Sequence, residues 1–483
     1  MYKLFICFIA LFSFGFSQGI IHSSVVKIYT TGETYDYTVP WGAPQHFSAS
    51  GSGCIIESNR ILTNAHVVEG AIYVEVKKAN DPKLYIGKVV HVNNAYDLAL
   101  VEIEDLDFFQ GTTTLQFGEL PQLQDPILAC GYPTGGSEIT VTRGEISRIE
   151  YIEYVHSKID NLACQISAPI NPGNSGGPIL SPDGAILGIA MQGAPKLQNT
   201  GYMIPVTLID QFLEEVDHKL EKTIMELGIT VQSMDNQSLQ KFFGLSKGIT
   251  GILIKRVNPS SCLYTHIHPG DILIEINGHQ IFNDGSVRFR ENEFLPLDHH
   301  VRLKRIGDQI QVKVLRSGKE IDLNLQLSSD LSEKRLMPYT LDSTPPSYYV
   351  YAGFVFQKLD NAYCKGYFPD SFVLKMVHFL KFCFKYQTED QKEVVLLSKV
   401  LPHQFTNGYT GECHEMVTRV NGKPIGSLKE IILAIETNTN SFHVIETKSG
   451  AQFIIDRVLA EKAHTEILHK FHIHSDRSKN LMN

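Results

Sequence analysis

The segment Asn171-Pro172-Gly173-Asn174-Ser175-Gly176-Gly177-Pro178 restricts what this chain can fold into more than any other. A serine set among that many glycines and prolines belongs to neither a helix nor a long strand. It belongs to a tight turn, because glycine allows backbone conformations and close approaches that other residues resist. A serine hydroxyl is a poor nucleophile unless an imidazole takes its proton and a carboxylate orients that imidazole. Two earlier segments supply both groups, so that the chain order is His, Asp, Ser. They are Thr63-Asn64-Ala65-His66-Val67-Val68 and Asp97-Leu98-Ala99-Leu100. His66 follows the strand-like Ile61-Leu62-Thr63, and Asp97 abuts an apolar run in which a carboxylate needs partners. The pattern implies acyl transfer with Ser175 as nucleophile, His66 as general base and Asp97 as orienting carboxylate. The backbone N–H groups of Gly173 and Ser175, with the Asn174 amide between them, are expected to form the oxyanion hole.

A chain of 483 residues has room for about three domains. Its 43% apolar and 20% charged residues fit folded material, and a net charge of −9 without a basic stripe argues against nucleic acid as a partner. The N-terminus reads as an export signal over residues 1–17. Lys3 precedes the apolar Leu4–Phe14, and Gly15-Phe16-Ser17 offers small residues ahead of a cut before Gln18. That run is short for a membrane span and no other segment approaches one, so no stable span is expected. The signal implies an exported, periplasm-like location. Of the eight cysteines, Cys7 lies in this segment. The others are widely spaced without a CxxC, which argues against a disulfide framework or a zinc site. Cys54, Cys130 and Cys164 are expected as small buried hydrophobes. The sequence carries no signature of a metal, nucleotide or other cofactor.

From about Val25 to Pro205 short β-like runs alternate with glycine, among them Ser24–Tyr29, Gly53–Glu57, Ile72–Val76, Ala99–Ile103, Ile127–Gly131, Glu145–Ile149, Ile179–Leu180 and Ala185–Met191. Many short strands with turns between them predict barrels or sandwiches. With His, Asp and Ser in this order, a pair of six-stranded antiparallel barrels is the natural choice. Leu208, Phe212, Val216 and Leu220 then recur on one face and predict a helix over 206–222. Ala190, Met191, Gln192 and Ile204 are expected beside the nucleophile. They include no acid to receive Lys or Arg, so a small or medium aliphatic P1 residue is expected. Further on, 251–259 is similar to 394–402, and 272–281 to 416–425, each of the latter pair carrying an Asn-Gly hairpin turn.

These segments resemble the HtrA/Deg family of serine endopeptidases, in which a chymotrypsin-like protease precedes one or two PDZ modules. Gly51-Ser52-Gly53, Thr63–His66, Asp97–Leu100, Gly131-Tyr132-Pro133 and Asn171–Pro178 match its pattern. Tyr35-Asp36-Tyr37, Pro40-Trp41, Gly201–Pro205, Gly285–Arg290 and Pro346-Ser347-Tyr348 resemble the plant-type branch with two PDZ modules. The resemblance implies a mainly β chain: signal peptide 1–17, chymotrypsin-like double β-barrel 18–222, first PDZ 223–328, linker 329–347, divergent second PDZ-like module 348–458, and tail 459–483. A PDZ module adds a peptide strand to its sheet and caps the peptide's carboxylate with backbone N–H groups. Leu227-Gly228-Ile229 would be that loop in the first module and Ala352-Gly353-Phe354 its counterpart in the second. Trimer-based homo-oligomers and switchable protease loops are implied as well. Ser167 departs from the family's usual Asp, and Pro169 replaces a small residue, which leaves specificity less fixed than the triad. The expected function is ATP-independent endoproteolysis of unfolded or damaged proteins after export. The rivals are a chaperone-like binder with conditional proteolysis and a secreted protease with one narrow host target.

Overall fold

The first twelve strands of the computed structural model twist and close into two barrels. The first holds β1 (Val25–Thr34), β2 (Gln45–Ile56), β3 (Arg60–Thr63), β4 (Ala71–Lys78), β5 (Tyr85–Asn93) and β6 (Leu98–Ile103), in the order β1-β2-β3-β6-β5-β4. The second holds β7 (Pro126–Gly131), β8 (Thr140–Glu153), β9 (Asp160–Ile166), β10 (Pro178–Leu180), β11 (Ile186–Gly193) and β12 (Gly201–Pro205), in the order β10-β11-β12-β9-β8-β7. Closure leaves neither barrel an unpaired edge. Ile28, Ile55, Ile61, Val76 and Val101 fill the first; Cys130, Ile146, Ile166, Ile179 and Ile189 fill the second. Cys54, Cys130 and Cys164 are buried and free, and burial pushes the thiols of Cys130 and Cys164 up to about 12. Helix α1 (Val206–Asp217) buries Leu208, Ile209 and Phe212 in the same cluster as the second barrel. It ends five residues before the expected Lys222, where the backbone N–H of His218 caps it.

The structure describes residues 19, 21–193, 200–220, 224–246, 248–328, 331, 334–368, 379, 381–411 and 413–482. The export segment 1–17 therefore lies outside them. Contacts divide the chain into two units: Met1–Gly32 with Phe47–Leu331, and Glu33–His46 with Ser332–Asn483.

The first unit continues past α1 into a sheet of β13 (Ile229–Gln232), β14 (Ile252–Val257), β15 (Ile272–Ile276), β16 (His279–Gln280), β19 (Gln309–Arg316) and β20 (Lys319–Gln326). A hairpin of β17 (Ser286–Arg290) and β18 (Glu293–Pro296) stands apart, and helices α2 (Gln237–Phe242) and α3 (His299–Arg302) complete the module. Asn277 and Gly278 both have positive φ, 49° and 80°, as the Asn-Gly turn requires. The β17–β18 hairpin docks on the second barrel. Arg290 donates to the carbonyls of Pro121 and Leu120 at 2.9 and 3.1 Å, and Leu295 is buried in the second-barrel cluster.

The second unit is a sheet in the order β21 (Tyr348–Tyr351), β22 (Phe354–Lys358), β23 (Val395–Val400), β24 (Glu415–Val420), β26 (Phe442–Thr447), β27 (Gln452–Asp456), with β25 (Lys423–Pro424) paired to β24. It carries α4 (Asn361–Tyr367), α5 (Leu428–Glu436) and α6 (Arg457–Lys470). Two expectations change here. The stretch 329–347 is not spacer throughout, because Leu336 and Met337 are buried beside Phe382 and Leu396. Nor is 459–483 merely a tail: Ala463, Ile467 and Ile473 pack against Tyr348 and Leu401, and the Asp476 backbone carbonyl accepts the Val350 N–H at 2.6 Å. Residues between β1 and β2 belong to this unit too. The Tyr37 hydroxyl donates to the Thr344 carbonyl at 3.2 Å, and Gln357 donates to the Tyr37 carbonyl at 3.1 Å.

Candidate active site

His66 lies in a single 3-10 turn, Ala65–Val67, just past the end of β3. Asp97 immediately precedes β6, which pairs with β3. Adjacent strands thus deliver base and carboxylate side by side. Asp97 is 1% exposed and has a positive φ of 56°, a strained conformation that aims its carboxylate back at His66. Its Oδ2 and Oδ1 lie 2.8 and 3.0 Å from His66 Nδ1, and Oδ1 also accepts the His66 backbone N–H at 2.9 Å. An ionised carboxylate only accepts, so Nδ1 carries the proton and Nε2 is left basic. Asn64 Nδ2 donates to the Asp97 carbonyl at 2.9 Å and fixes the turn. Burial presses the His66 pKa down, but the charge and hydrogen bond of Asp97, with Glu69 beyond, more than offset this and raise it.

Ser175 is brought to the same place by glycines. A Cβ on Gly51 would lie 2.7 Å from Val67 and 3.2 Å from the Ser175 carbonyl oxygen, and one on Gly176 would lie 2.3 Å from Thr63 Oγ1. The residue next to His66 and the strand end before it therefore meet the turn that carries Ser175. The Ser175 hydroxyl donates to the Met191 carbonyl at 2.9 Å, so attack requires it to rotate toward the imidazole.

Two peptide planes set the geometry expected of the oxyanion hole beside it. The Pro172 carbonyl accepts the Thr134 N–H at 2.8 Å. In a trans peptide the N–H points opposite to the carbonyl, so the Gly173 N–H is turned away from Thr134. The Gly173 carbonyl accepts from Ser52 Oγ at 2.7 Å, and Gly173 has a φ of 96°. Among the described residues no backbone carbonyl takes the N–H of Gly173 or of Ser175, whereas that of Asn174 goes to Asn171 at 3.0 Å. Of the three residues expected at the hole, Gly173 and Ser175 thus offer backbone donors and Asn174 does not. Ser52, fully buried, is the residue to which sequence reasoning assigned no role. It also accepts the Tyr132 N–H at 2.8 Å and joins the first barrel to both walls of the hole. Its signal was the Gly51-Ser52-Gly53 motif.

Ala190, Met191 and Ile204 sit on β11 and β12, buried, with Ala190 opposite Met203 and Ile189 opposite Ile204. Gln192 lies on β11, and its side chain is outside the described residues. Ser167 accepts the Glu145 N–H at 2.9 Å through its hydroxyl and brings no charge to this wall.

In the first module Leu227 is buried, Gly228 has a φ of 66°, and β13 follows at once as the edge strand of its sheet. The Gly228 carbonyl accepts the Asn258 N–H at 2.7 Å, and a Cβ there would lie 2.5 Å from Leu331. The second module departs from expectation. Because 251–259 matches 394–402, β22 is the counterpart of β13. Yet β22 pairs on its other side with β21, through the two-residue turn Ala352-Gly353 with φ of 47° and 93°. The Ala352 N–H is already donated to His464 Nδ1 at 3.1 Å. Ala352-Gly353-Phe354 is thus a hairpin turn rather than an open carboxylate loop, and the chain fills its own peptide position.

Among the described residues no cluster of His, Cys, Asp and Glu is arranged to hold a metal ion, and no helix is long and apolar enough to cross a membrane.

The comparisons agree with this architecture. A family model described as a trypsin-like peptidase domain matches residues 51–189, and PDZ domain models match 217–286 and 337–480. Protease Do-like 2, chloroplastic, of Arabidopsis thaliana is 32% identical over 463 residues, spanning 95% of this chain and 75% of that protein. A probable periplasmic serine endoprotease DegP-like of Marinomonas sp. is 29% identical over 304 residues, 60% of this chain and 59% of that one. Among solved structures, the HtrA-type protease AlgW with decapeptide covers 65% of this chain and 97% of its own at a TM-score of 0.50 and 24% identity, a likeness of fold. With its paired barrels, its PDZ modules and this extent of identity to a Do-like protease, the chain belongs to the HtrA/Deg (Do-like) family and is a serine endopeptidase of HtrA type.

Proposed function

We propose that the protein cleaves unfolded or damaged polypeptides through an acyl-enzyme, without ATP, after export. Ser175 attacks the scissile carbonyl, and His66 takes its proton and returns it to the leaving amine. Asp97 holds the imidazole in the productive tautomer. The N–H groups of Gly173 and Ser175 stabilise the oxyanion, each on the order of 3 kcal/mol. The observation that carries this reading is the Asp97 carboxylate held 2.8 Å from His66 Nδ1, on a turn packed against that of Ser175. The uncharged wall of Ala190, Met191 and Ile204 supports an aliphatic P1 residue. The first module would tether substrate C-termini along β13, and membership of the family supports trimer-based assembly. The export signal is what supports a location outside the cytoplasm; organellar relatives make an organelle the competing address.

Casein digestion by wild type and Ser175→Ala, with and without ATP, tests the chemistry. Cleavage that needs no ATP and vanishes in Ser175→Ala is expected. Cleavage surviving the substitution would sink the assignment. Suppression of casein aggregation by Ser175→Ala would reveal a separate holding activity.

A further inference from the structure

A second imidazole stands behind the first. The ring of His156 lies 6.1 Å from that of His66, centroid to centroid, and its side chain is 5% exposed. It comes from the turn between β8 and β9, on the barrel opposite to the one that carries His66 and Asp97. Its Nε2 is 3.0 Å from Asn94 Oδ1 and its Nδ1 is 3.5 Å from Glu69 Oε2. Glu69 belongs to the His66 segment and Asn94 to the loop that ends in Asp97. The same turn and the start of β9 grip that loop twice more: Ser157 Oγ and Asn161 Nδ2 both donate to the Ala95 carbonyl, at 3.3 and 2.7 Å.

We propose that His156 is a positioning residue for the hydrolysis, holding the Asp97 loop in register against His66 from across the barrel seam. This rests on the reading of Ser175, His66 and Asp97 as the catalytic triad. Asp97 gains from such a lock, because its positive φ is uncommon for a residue with a side chain and the loop must hold it there. The charged and titratable groups facing the two rings are Asp97, Glu69 and the rings themselves. Burial lowers the His156 pKa, and His66 adds to this against the opposing pull of Asp97 and Glu69. A neutral ring has a single N–H, so its service is to hold Asn94 through Nε2 rather than to carry charge, with Glu69 only a neighbour of Nδ1.

The test is the second-order rate at which a fluorophosphonate probe labels Ser175, followed against pH, with kcat and KM on a peptide substrate. His156→Phe is expected to slow labelling by about tenfold and to lower kcat alike while KM holds, the scale of a small misplacement of reacting groups. The midpoint of the pH profile should move down, because a loosened Asp97 raises His66 less. His156→Gln, which can still donate to Asn94, should recover most of the rate. If His156→Phe folds and labels within about twofold of wild type at an unmoved midpoint, the inference is wrong. Should that variant not fold, Asn94→Ala decides: a wild-type rate and midpoint there would equally overturn it. Failure of the triad reading looks different, since wild type would then not label at all, or Ser175→Ala would label as well.

Discussion

Removing one hydroxyl, in Ser52→Ala, separates the cost of folding from the cost of catalysis. Ser52 is wholly buried, and its Oγ makes two hydrogen bonds, to the Gly173 carbonyl at 2.7 Å and from the Tyr132 N–H at 2.8 Å. The substitution leaves both partners buried and unpaired, at about 1–3 kcal/mol each, so a loss of roughly 2–6 kcal/mol of stability is expected. The effect on rate comes by another route. The Gly173 carbonyl is what fixes the turn that aims the Gly173 N–H, and deleting a hole donor outright costs about 10²–10³ in kcat. Pro172 still hangs on Thr134, so the donor is loosened rather than lost, and a fall of roughly tenfold in kcat is expected with KM nearly unchanged. A fluorogenic peptide with an aliphatic P1 residue, assayed well below the variant's own melting temperature, reads both constants. Ser52→Cys keeps a weak donor and should fall between. If Ser52→Ala melts earlier but keeps kcat within about twofold, the hole does not depend on this hydroxyl and the argument fails.

The acid limb of kcat/KM should titrate above the ordinary imidazole value of 6.5, because the His66 pKa is raised and only its neutral form accepts the serine proton. A profile from pH 5 to 9 with its midpoint below that value would contradict the Asp97 pairing. Asp97→Asn should cost about 10⁴ in kcat by trapping the wrong tautomer, with KM hardly changed. Gly177→Ala should lose about 3 kcal/mol or more, since its Cβ would lie 2.0 Å from the Cys130 carbonyl oxygen; chemical denaturation measures this, and a loss under about 1 kcal/mol would deny the close approach. A labelled peptide with a free C-terminus should bind once per chain by titration calorimetry and not at all to Gly228→Val. Two sites per chain would contradict the self-filled second module.

What could be read from sequence was whatever is local. His66, Asp97 and Ser175 each stand in a short segment whose neighbours declare a strand end or a glycine turn, and the same alternation marked most strands of both barrels. What escaped was whatever depends on distant partners. Ser52 and Gly173 are 121 residues apart and His156 and Asn94 are 62 apart; no periodicity joins them. Leu336 and Met337 passed as linker because two apolar residues in a polar stretch give no period. Ala352-Gly353-Phe354 passed as a carboxylate loop because a hydrophobic-Gly-hydrophobic triplet fits either role. The strand-like Tyr348-Tyr349-Val350-Tyr351 directly before a two-residue turn was the sign of a hairpin.

The frame around Ser175 is built mostly of side chains that bond the backbone of the other barrel. Ser52 reaches Gly173 and Tyr132 from the first barrel; Ser157 and Asn161 reach Ala95 from the second. Each barrel interior could keep its volume while the two slid by a fraction of an ångström, and these bonds, with those of His156 to Asn94 and of the Ser52 N–H to the Ser175 carbonyl, resist that slide. Catalysis responds to such a slide steeply, because reacting groups must meet within a narrow geometry, whereas burial of apolar area responds gently. Substitutions along the seam should therefore lower kcat out of proportion to melting temperature, and substitutions inside either core the reverse. Paired measurements on Ser157→Ala and Ile189→Val check this: the seam variant should lose the more activity and the core variant the more stability, and an inverted order would locate the rigidity of the site in the barrel cores instead.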